Sequence, residues 1–375
     1  MGLYIHIPFC RKACNYCDFH FSTQLLGIDE ITDSMKTELK LRFPKIPVEQ
    51  ATHYWGGGTP SVLSHKVMES LAHQALEKAP LKPGGEFTLE VNPDDVTSNS
   101  LLNWKSIGVN RLSIGVQSFN DNRLEWMNRS HGSSQASESI LRAQDAGFEN
   151  ISIDLIYGIP NSSIAEWQDN LGRALDFGVV HLSTYALTVE EKTKLFYQIK
   201  KGESEPPKDE RAEEDFRWYR KHLNDLGWDS YEISNSCIPG RRSIHNSTYW
   251  SGEEYHGIGP GAHSFDGINT RRWNISNNGK YKRAMDVDSS WYEQEFLKPR
   301  DMINEKIMTR IRTKEGLDSK SLGTWDIELE KLWKPHVDAN RVFKDEFGTW
   351  KLLELGLFWA DRIASDGFVP EDQLL

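Results

Sequence analysis

The sequence predicts an α/β fold: a partial, six-stranded parallel β/α barrel followed by a smaller, mainly helical C-terminal domain. Three observations carry this. Six apolar or β-branched runs alternate with six helical patterns through the first 228 residues. The alternation then stops. Three of the four cysteines, Cys10, Cys14 and Cys17, sit on one loop directly after the first run.

Strands are expected at 2–7, 51–55, 86–91, 111–116, 151–156 and 180–187. Helices are expected near 24–43, 61–78, 97–107, 133–146, 164–177 and 209–226. Thr97, ahead of Leu101 and Leu102, reads as an N-cap. Gly108 and Gly147 read as C-caps, because glycine accepts the left-handed backbone that ends a helix. Six such units give a curled parallel sheet, where eight would close a full barrel. Residues 229–300 are rich in Gly, Ser, Asn, Tyr and Trp with little period. Residues 301–375 are mostly helical, with a hairpin around Phe347-Gly348-Thr349-Trp350. The expected organisation is 1–228 for the barrel, 229–300 for a connecting segment, and 301–375 for a C-terminal helical, winged-helix-like domain.

A content of 38% hydrophobic and 26% charged residues fits a soluble globular protein. No apolar run reaches 18 residues, so no transmembrane helix is expected. Met1 leads straight into the first strand, so no signal peptide is expected and the compartment reads as cytoplasmic and reducing. Lysine plus arginine number 44 against 55 acids, a net charge of −11, which argues against nucleic acid as a partner. The 13 tryptophans are scattered and read as core or interface anchors.

The cysteine spacing is C-x3-C-x2-C, and position 19 is Phe. Three thiolates on one loop can hold three irons of a [4Fe–4S] cube and leave the fourth open to a small chelating ligand. A zinc site of Cys10, Cys14, Cys17 and His20 is a chemically sound rival. A disulfide framework would need more cysteines and an oxidising compartment. In parallel α/β sheets, sites gather where strands end. There stand Gly56-Gly57-Gly58-Thr59-Pro60, Glu90, Gln117, Arg129 and Asp154. The glycines permit a close backbone approach to a ligand or simply make a turn. Glu90 is a ribose acceptor or a solvated strand end. Arg129 pairs with a ligand carboxylate or makes a surface ion pair. Asp154 lies inside an apolar strand, where a carboxylate is costly unless bonded, so it reads as ligand-facing.

The stretches YIHIPFCRKACNYCDF, WGGGTPS, LEVNP, GVNRLSIGVQSF, MNRSHG and DLIYGIP together resemble the family of oxygen-independent coproporphyrinogen III oxidase and its relatives. That family belongs to the radical S-adenosylmethionine (SAM) proteins, and the resemblance covers nearly the whole chain. It implies a barrel of radical SAM type. It also implies an iron–sulfur cluster on Cys10, Cys14 and Cys17. SAM would be lined by Tyr4, Tyr16, Gly57, Gly58, Thr59, Glu90, Gln117, Arg129 and Asp154.

Two departures look like the HemW-type heme chaperone branch. Phe19 stands where the dehydrogenase branch has a further cysteine, and only nine residues precede Cys10, where that branch has a long extension. A third feature agrees. His245-Asn246-Ser247-Thr248-Tyr249-Trp250 matches the H-N-x-x-Y-W stretch of that branch. The match implies that His245, Tyr249 and Trp250 meet heme; a hydrogen-bonded structural role is the other reading of His245. YEIS at 231–234 and GIGPGAHSF at 257–265 are similar to the same branch. Cys237 reads as an incidental thiol or a second heme ligand. The resemblance implies a chaperone that delivers heme to acceptor proteins, soluble or membrane-bound, with an electron donor if radical chemistry occurs. The alternatives are a coproporphyrinogen III dehydrogenase of porphyrin metabolism and a zinc-containing binding protein.

Overall fold

The computed structural model of the chain describes residues 1–43, 47–287 and 289–371. Its first half runs β1 (Gly2–Ile7), α1 (Ile28–Arg42), β2 (Gln50–Gly57), α2 (His65–Lys78), β3 (Leu81–Val91), α3 (Ser98–Ser106), β4 (Arg111–Gln117), α4 (Asp121–Trp126), α5 (Ser133–Asp145), β5 (Asn150–Tyr157), α6 (Ile164–Asp176) and β6 (His181–Ala186). β1 to β6 pair in sequence order and all in parallel, as the alternation predicts. The helix ends follow their signals. The Thr97 hydroxyl accepts from Ser100 N at the start of α3, and Gly108 (φ 96) and Gly147 (φ 78) end α3 and α5 in the left-handed region.

The strand period of two separates the faces. Leu3, Ile5, Phe87, Leu89, Leu112, Ile114, Ile153 and Leu155 are fully buried on the outer face, which the helices cover. The inner face is polar. Register aligns Tyr4 with Tyr54, Tyr54 with Thr88, Glu90 with Ser113, Ser113 with Ser152, and Asp154 with Ser183. A parallel sheet covered on both sides is usually apolar on both; here only one face packs, and the other lines an interior.

The chain continues through α7 (Lys194–Lys200), α8 (Asp209–Asp225), β7 (Asn235–Cys237), α9 (Ile244–Ser251), β8 (Tyr255–Ile258), β9 (His263–Phe265), β10 (Thr270–Asn274), α10 (Asn278–Asp286) and β11 (Tyr292–Phe296). Residues 229–300, read from sequence as a connection, thus extend the sheet at both edges. β7 joins β6 antiparallel, β8 joins β1 parallel, and β9, β10 and β11 follow antiparallel. These strands are short and polar, so period alone does not reveal them. A buried carboxylate fastens them: Glu38 of α1 accepts from Gly259 N (2.9 Å), Asn274 Nδ2 (2.8 Å) and Tyr281 Oη (2.5 Å).

Helix α9 plugs the barrel interior. Its first backbone amides, Ile244 N and His245 N, donate to the buried Glu86 of β3 at 3.0 and 3.1 Å. Glu86 in turn faces Arg111 of β4 at 3.9 Å, with both side chains almost wholly buried. One carboxylate therefore caps a helix and balances a guanidinium.

The last segment holds α11 (Pro299–Arg310), β12 (Leu317–Asp318), α12 (Trp325–Asp338), β13 (Val342–Lys344), β14 (Thr349–Leu352), α13 (Glu354–Leu357) and α14 (Ala360–Asp366). β12, β14 and β13 make a small antiparallel sheet, and the β13–β14 turn falls on the expected hairpin. Ile307, Leu329, Trp333, Trp350 and Ile363 form an apolar cluster apart from that of the barrel.

Glu86→Ala is expected to destabilise the protein by about 3–5 kcal/mol in urea unfolding, because it strands a buried guanidinium and uncaps α9. A loss below about 1 kcal/mol would show that Arg111 is solvated or paired elsewhere.

Candidate functional site

The cysteine loop leaves β1 and returns to it. Cys10 N donates to Ser22 O and Ser22 N to Pro8 O, both at 3.0 Å, which closes the neck. The glycine stretch after β2 lies against the neck: Gly58 N donates to Ile7 O (2.9 Å) and Thr59 N to Phe9 O (2.7 Å). A Cβ on Gly58 would lie 2.6 Å from Ile7 O, so no side chain fits there. The far side of the loop is tied to the turn between α4 and α5. Asn15 N donates to Met127 O (3.1 Å), Asn128 Nδ2 to Ala13 O (2.6 Å) and Lys12 Nζ to Arg129 O (3.0 Å).

Cys10, Cys14 and Cys17 all face one cavity of about 700 Å³. Tyr16, Gly57, Gly58, Thr59, Glu90, Gln117, Arg129 and Asp154 line the same cavity, so these expected residues are brought together. Gln117 (φ 67) and Asn128 (φ 61) are held in left-handed backbone that non-glycine residues seldom adopt, on either side of the segment that delivers Arg129. Arg129 donates to Cys14 Sγ at 3.1 Å, to Asn92 Oδ1 and Gly115 O at 2.8 Å, and its buried Nε has no partner. Thr59 Oγ1 donates to Cys10 Sγ at 3.3 Å. Burial pushes the Cys10 thiol up to about 11 and the Cys17 thiol to about 12. Both therefore stay protonated at neutral pH until a metal displaces the protons.

Two carboxyls complete the wall. Burial raises Glu90 to about 7, against the hydrogen bond it accepts from Tyr54 Oη (2.6 Å). Burial likewise raises Asp154 to about 6, against the bond from Ser113 Oγ (3.0 Å). Gly56 makes room for Glu90, since a Cβ there would lie 2.7 Å from the carboxyl carbon. Sequence reading missed Tyr54, Asn92 and Ser113. Strand alternation carries a signal for two of them, because Tyr54 and Ser113 share the inner face with Glu90 and Asp154.

Three expected residues lie elsewhere or differently. Tyr4 lines a separate groove, where its hydroxyl bonds His6 Nδ1 at 3.1 Å. His245 is fully buried with both ring nitrogens engaged, Nδ1 to Thr52 Oγ1 (2.8 Å) and Nε2 to Tyr249 Oη (2.9 Å). Burial, then the charges of His53 and Arg111, lower it to about 3, so it is neutral. In this arrangement both ring nitrogens of His245 are taken up by protein partners, the hydrogen-bonded role that is its other reading. Tyr249 faces the groove, and Trp250 faces the cysteine cavity. His20 also turns away from the cysteines, with Nε2 bonded to Asn278 Oδ1 at 2.8 Å. The four-ligand zinc site therefore lacks its fourth ligand here. Among the described residues, no group of three or more His, Cys, Asp or Glu side chains is set to hold a single metal ion. A cube asks for something else, one thiolate per iron, spread over the cluster. Three thiols around a roomy cavity, an orphaned guanidinium nitrogen and two protonatable carboxyls fit a cluster with a zwitterionic, cationic ligand beside it. Cys237 is buried on β7, away from both spaces, with its thiol raised to about 11 by burial.

Arg312, Phe358 and Asp361 of the C-terminal segment also line the cysteine cavity. Among the described residues, no helix is long and apolar enough to cross a membrane.

Residues 4–174 match the family model of the radical SAM superfamily. A heme chaperone HemW of Bacillus subtilis is 35% identical over 84% of each chain. A heme chaperone HemW of Lactococcus lactis is 34% identical over 88% of this chain and 86% of its own. The solved structure of coproporphyrinogen III oxidase (HemN) from Escherichia coli superposes with a TM-score of 0.84 at 21% identity, covering 98% of this chain and 89% of its own, which shows a shared fold.

Glu90 gives a prediction for the protein free of cluster and SAM. Its folded pKa of about 7 exceeds the ordinary 4.5, so the folded state loses stability as pH rises from 4.5 to 7. Glu90→Gln is expected to match the parent at pH ~4 and to exceed it by ~1–2 kcal/mol at pH ~8, the cavity-facing edge discounting the full shift. A difference that is flat with pH, or of opposite sign, would contradict the buried, unpaired carboxyl.

Proposed function

This chain belongs to the HemW family of the radical SAM superfamily, and on that footing we propose that it is a heme chaperone. In this reading it carries a [4Fe–4S] cluster on Cys10, Cys14 and Cys17, binds SAM beside the cluster, and binds heme for delivery to acceptor proteins in the reducing cytoplasm. The observation that carries it is the family relationship over 84% of both chains, joined to the gathering of three thiols, Glu90, Gln117, Arg129 and Asp154 around one cavity. The fold shared with HemN does not by itself select the dehydrogenase alternative.

Bound together, cluster and SAM supply one-electron chemistry that the protein positions and shields. The chain's own residues do the rest. The three cysteines give up thiol protons as metal binds; the Thr59 hydroxyl favours the charge on Cys10 sulfur, and the Arg129 guanidinium that on Cys14 sulfur. The Glu90 carboxyl, which accepts from the Gly57 amide at 3.3 Å, faces a ligand amine or ribose. Arg129, fixed by Asn92, faces a ligand carboxylate. The Arg312–Asp361 ion pair ties two lining residues of the C-terminal segment together beside the cavity.

Anaerobically reconstituted protein is expected to hold roughly four irons and as many sulfides, and to bind heme saturably. One zinc with no sulfide would favour the zinc-protein alternative. Arg129→Ala is expected to weaken SAM binding by ~1.5–3 kcal/mol in equilibrium dialysis, the scale of a charge-assisted hydrogen bond. Unchanged affinity would remove Arg129 from the SAM site.

A further inference from the structure

Beside the cysteine cavity lies a second space of about 680 Å³, an open groove over the inner face where the sheet runs on from β1 into β8 and β9. Its walls are aromatic: Tyr4, Phe19, Tyr249 and Tyr255. Phe19, 66% exposed, presents its ring at the mouth of this groove beside the three tyrosines. Three histidines face this groove. His6 is closed off, its nitrogens bonded to Tyr4 Oη (3.1 Å) and to His20 O (2.8 Å). His20 gives Nε2 to Asn278. His263 differs: it is exposed on β9, its ring stands 6.3 Å from that of Trp273, and among the described residues it makes no side-chain hydrogen bond. A free neutral imidazole over an aromatic-walled groove suits an iron tetrapyrrole, whose macrocycle needs apolar walls and whose iron needs one axial ligand.

We infer that this groove is the heme site and that His263 is the axial ligand. The inference rests on the heme-carrier reading and moves its ligand away from the H-N-x-x-Y-W stretch. That stretch keeps a role. His245, locked between Thr52 and Tyr249, is a positioning residue: it holds the Tyr249 ring edge-on, 4.7 Å from Tyr255, as part of the groove wall. The site is also joined to the cluster loop. Asp18 and Phe19 line both spaces and follow Cys17 directly, so metal on Cys17 fixes one wall of the groove.

Heme is titrated into full-length, cluster-reconstituted protein and followed by absorption and electron paramagnetic resonance. The parent is expected to saturate with an imidazole-ligated signature. His263→Ala is expected to bind heme at least roughly tenfold more weakly and to lose that signature. Free imidazole added to His263→Ala should restore the signature, a rescue that a merely structural role would not show. Phe19→Ala is expected to weaken binding several-fold, about the loss of one stacking wall, with the signature kept. His245→Gln is expected to keep the signature, because His263 is untouched. The intact cluster spectrum and far-ultraviolet dichroism report folding in each variant. Heme bound by His263→Ala with the parent's affinity and spectrum would overturn this site while leaving the carrier reading standing. So would loss of the signature in His245→Gln alone. A parent protein that binds no heme would overturn the carrier reading and the site with it.

Discussion

The inner face of the parallel sheet carries Glu86, Glu90, Arg111 and Asp154, charged types that a packed interior tolerates only when paired, protonated or met by a ligand. The chain resolves this in two ways. Toward the N-terminal ends of the strands, Glu86 and Arg111 balance each other and the amides of α9 fill the remaining acceptor positions, so that end is closed. Toward the C-terminal ends, Glu90 and Asp154 have neutral donors and, among the described residues, no ion-pair partner, and burial raises both pKa values. One half of the interior is closed by its own pairs and the other half opens on the cavity. The division follows from the placement of one helix.

The cysteine loop is held by other elements. A loop of this length with exposed residues at its tip would wander if only its ends were fixed. Here it is pinned at the neck by the glycine stretch after β2 and at the tip by the turn carrying Asn128 and Arg129. The strained backbone at Gln117 and Asn128 is the local cost of delivering a guanidinium to Cys14. In the proposed reading, a cluster would bind to a loop already restrained on two sides, and the loop continues through Phe19 into the wall of the neighbouring groove.

Much of this was legible in the sequence, for physical reasons. The six strands and their helices were, because apolar runs of period two between capped helical patterns leave little choice. Glu90, Gln117, Arg129 and Asp154 were, because polar residues at the ends of parallel strands converge on one mouth. The edge strands β8 to β11 were not, since they are short, polar and fastened by the distant Glu38 rather than by their own apolar period. The groove beside Tyr4 was not legible either: with β8 beyond it, β1 is an interior strand whose inner face lines a space the sequence does not show. The burial of His245 has a different origin. Its neighbours in the motif suggest an open ligand, but Thr52, Tyr54 and Glu86 from remote strands bury it, and no local pattern reports that.

In the proposed function the tetrapyrrole is cargo and leaves unaltered. The most direct measurement incubates the reconstituted protein anaerobically with SAM and a low-potential reductant, with heme in one arm and coproporphyrinogen III in the other. All tetrapyrroles are then recovered and separated by chromatography. A carrier returns heme intact and leaves coproporphyrinogen III unconsumed. Conversion of coproporphyrinogen III to its didecarboxylated, divinyl product would contradict the carrier reading and make the cysteine cavity a catalytic one.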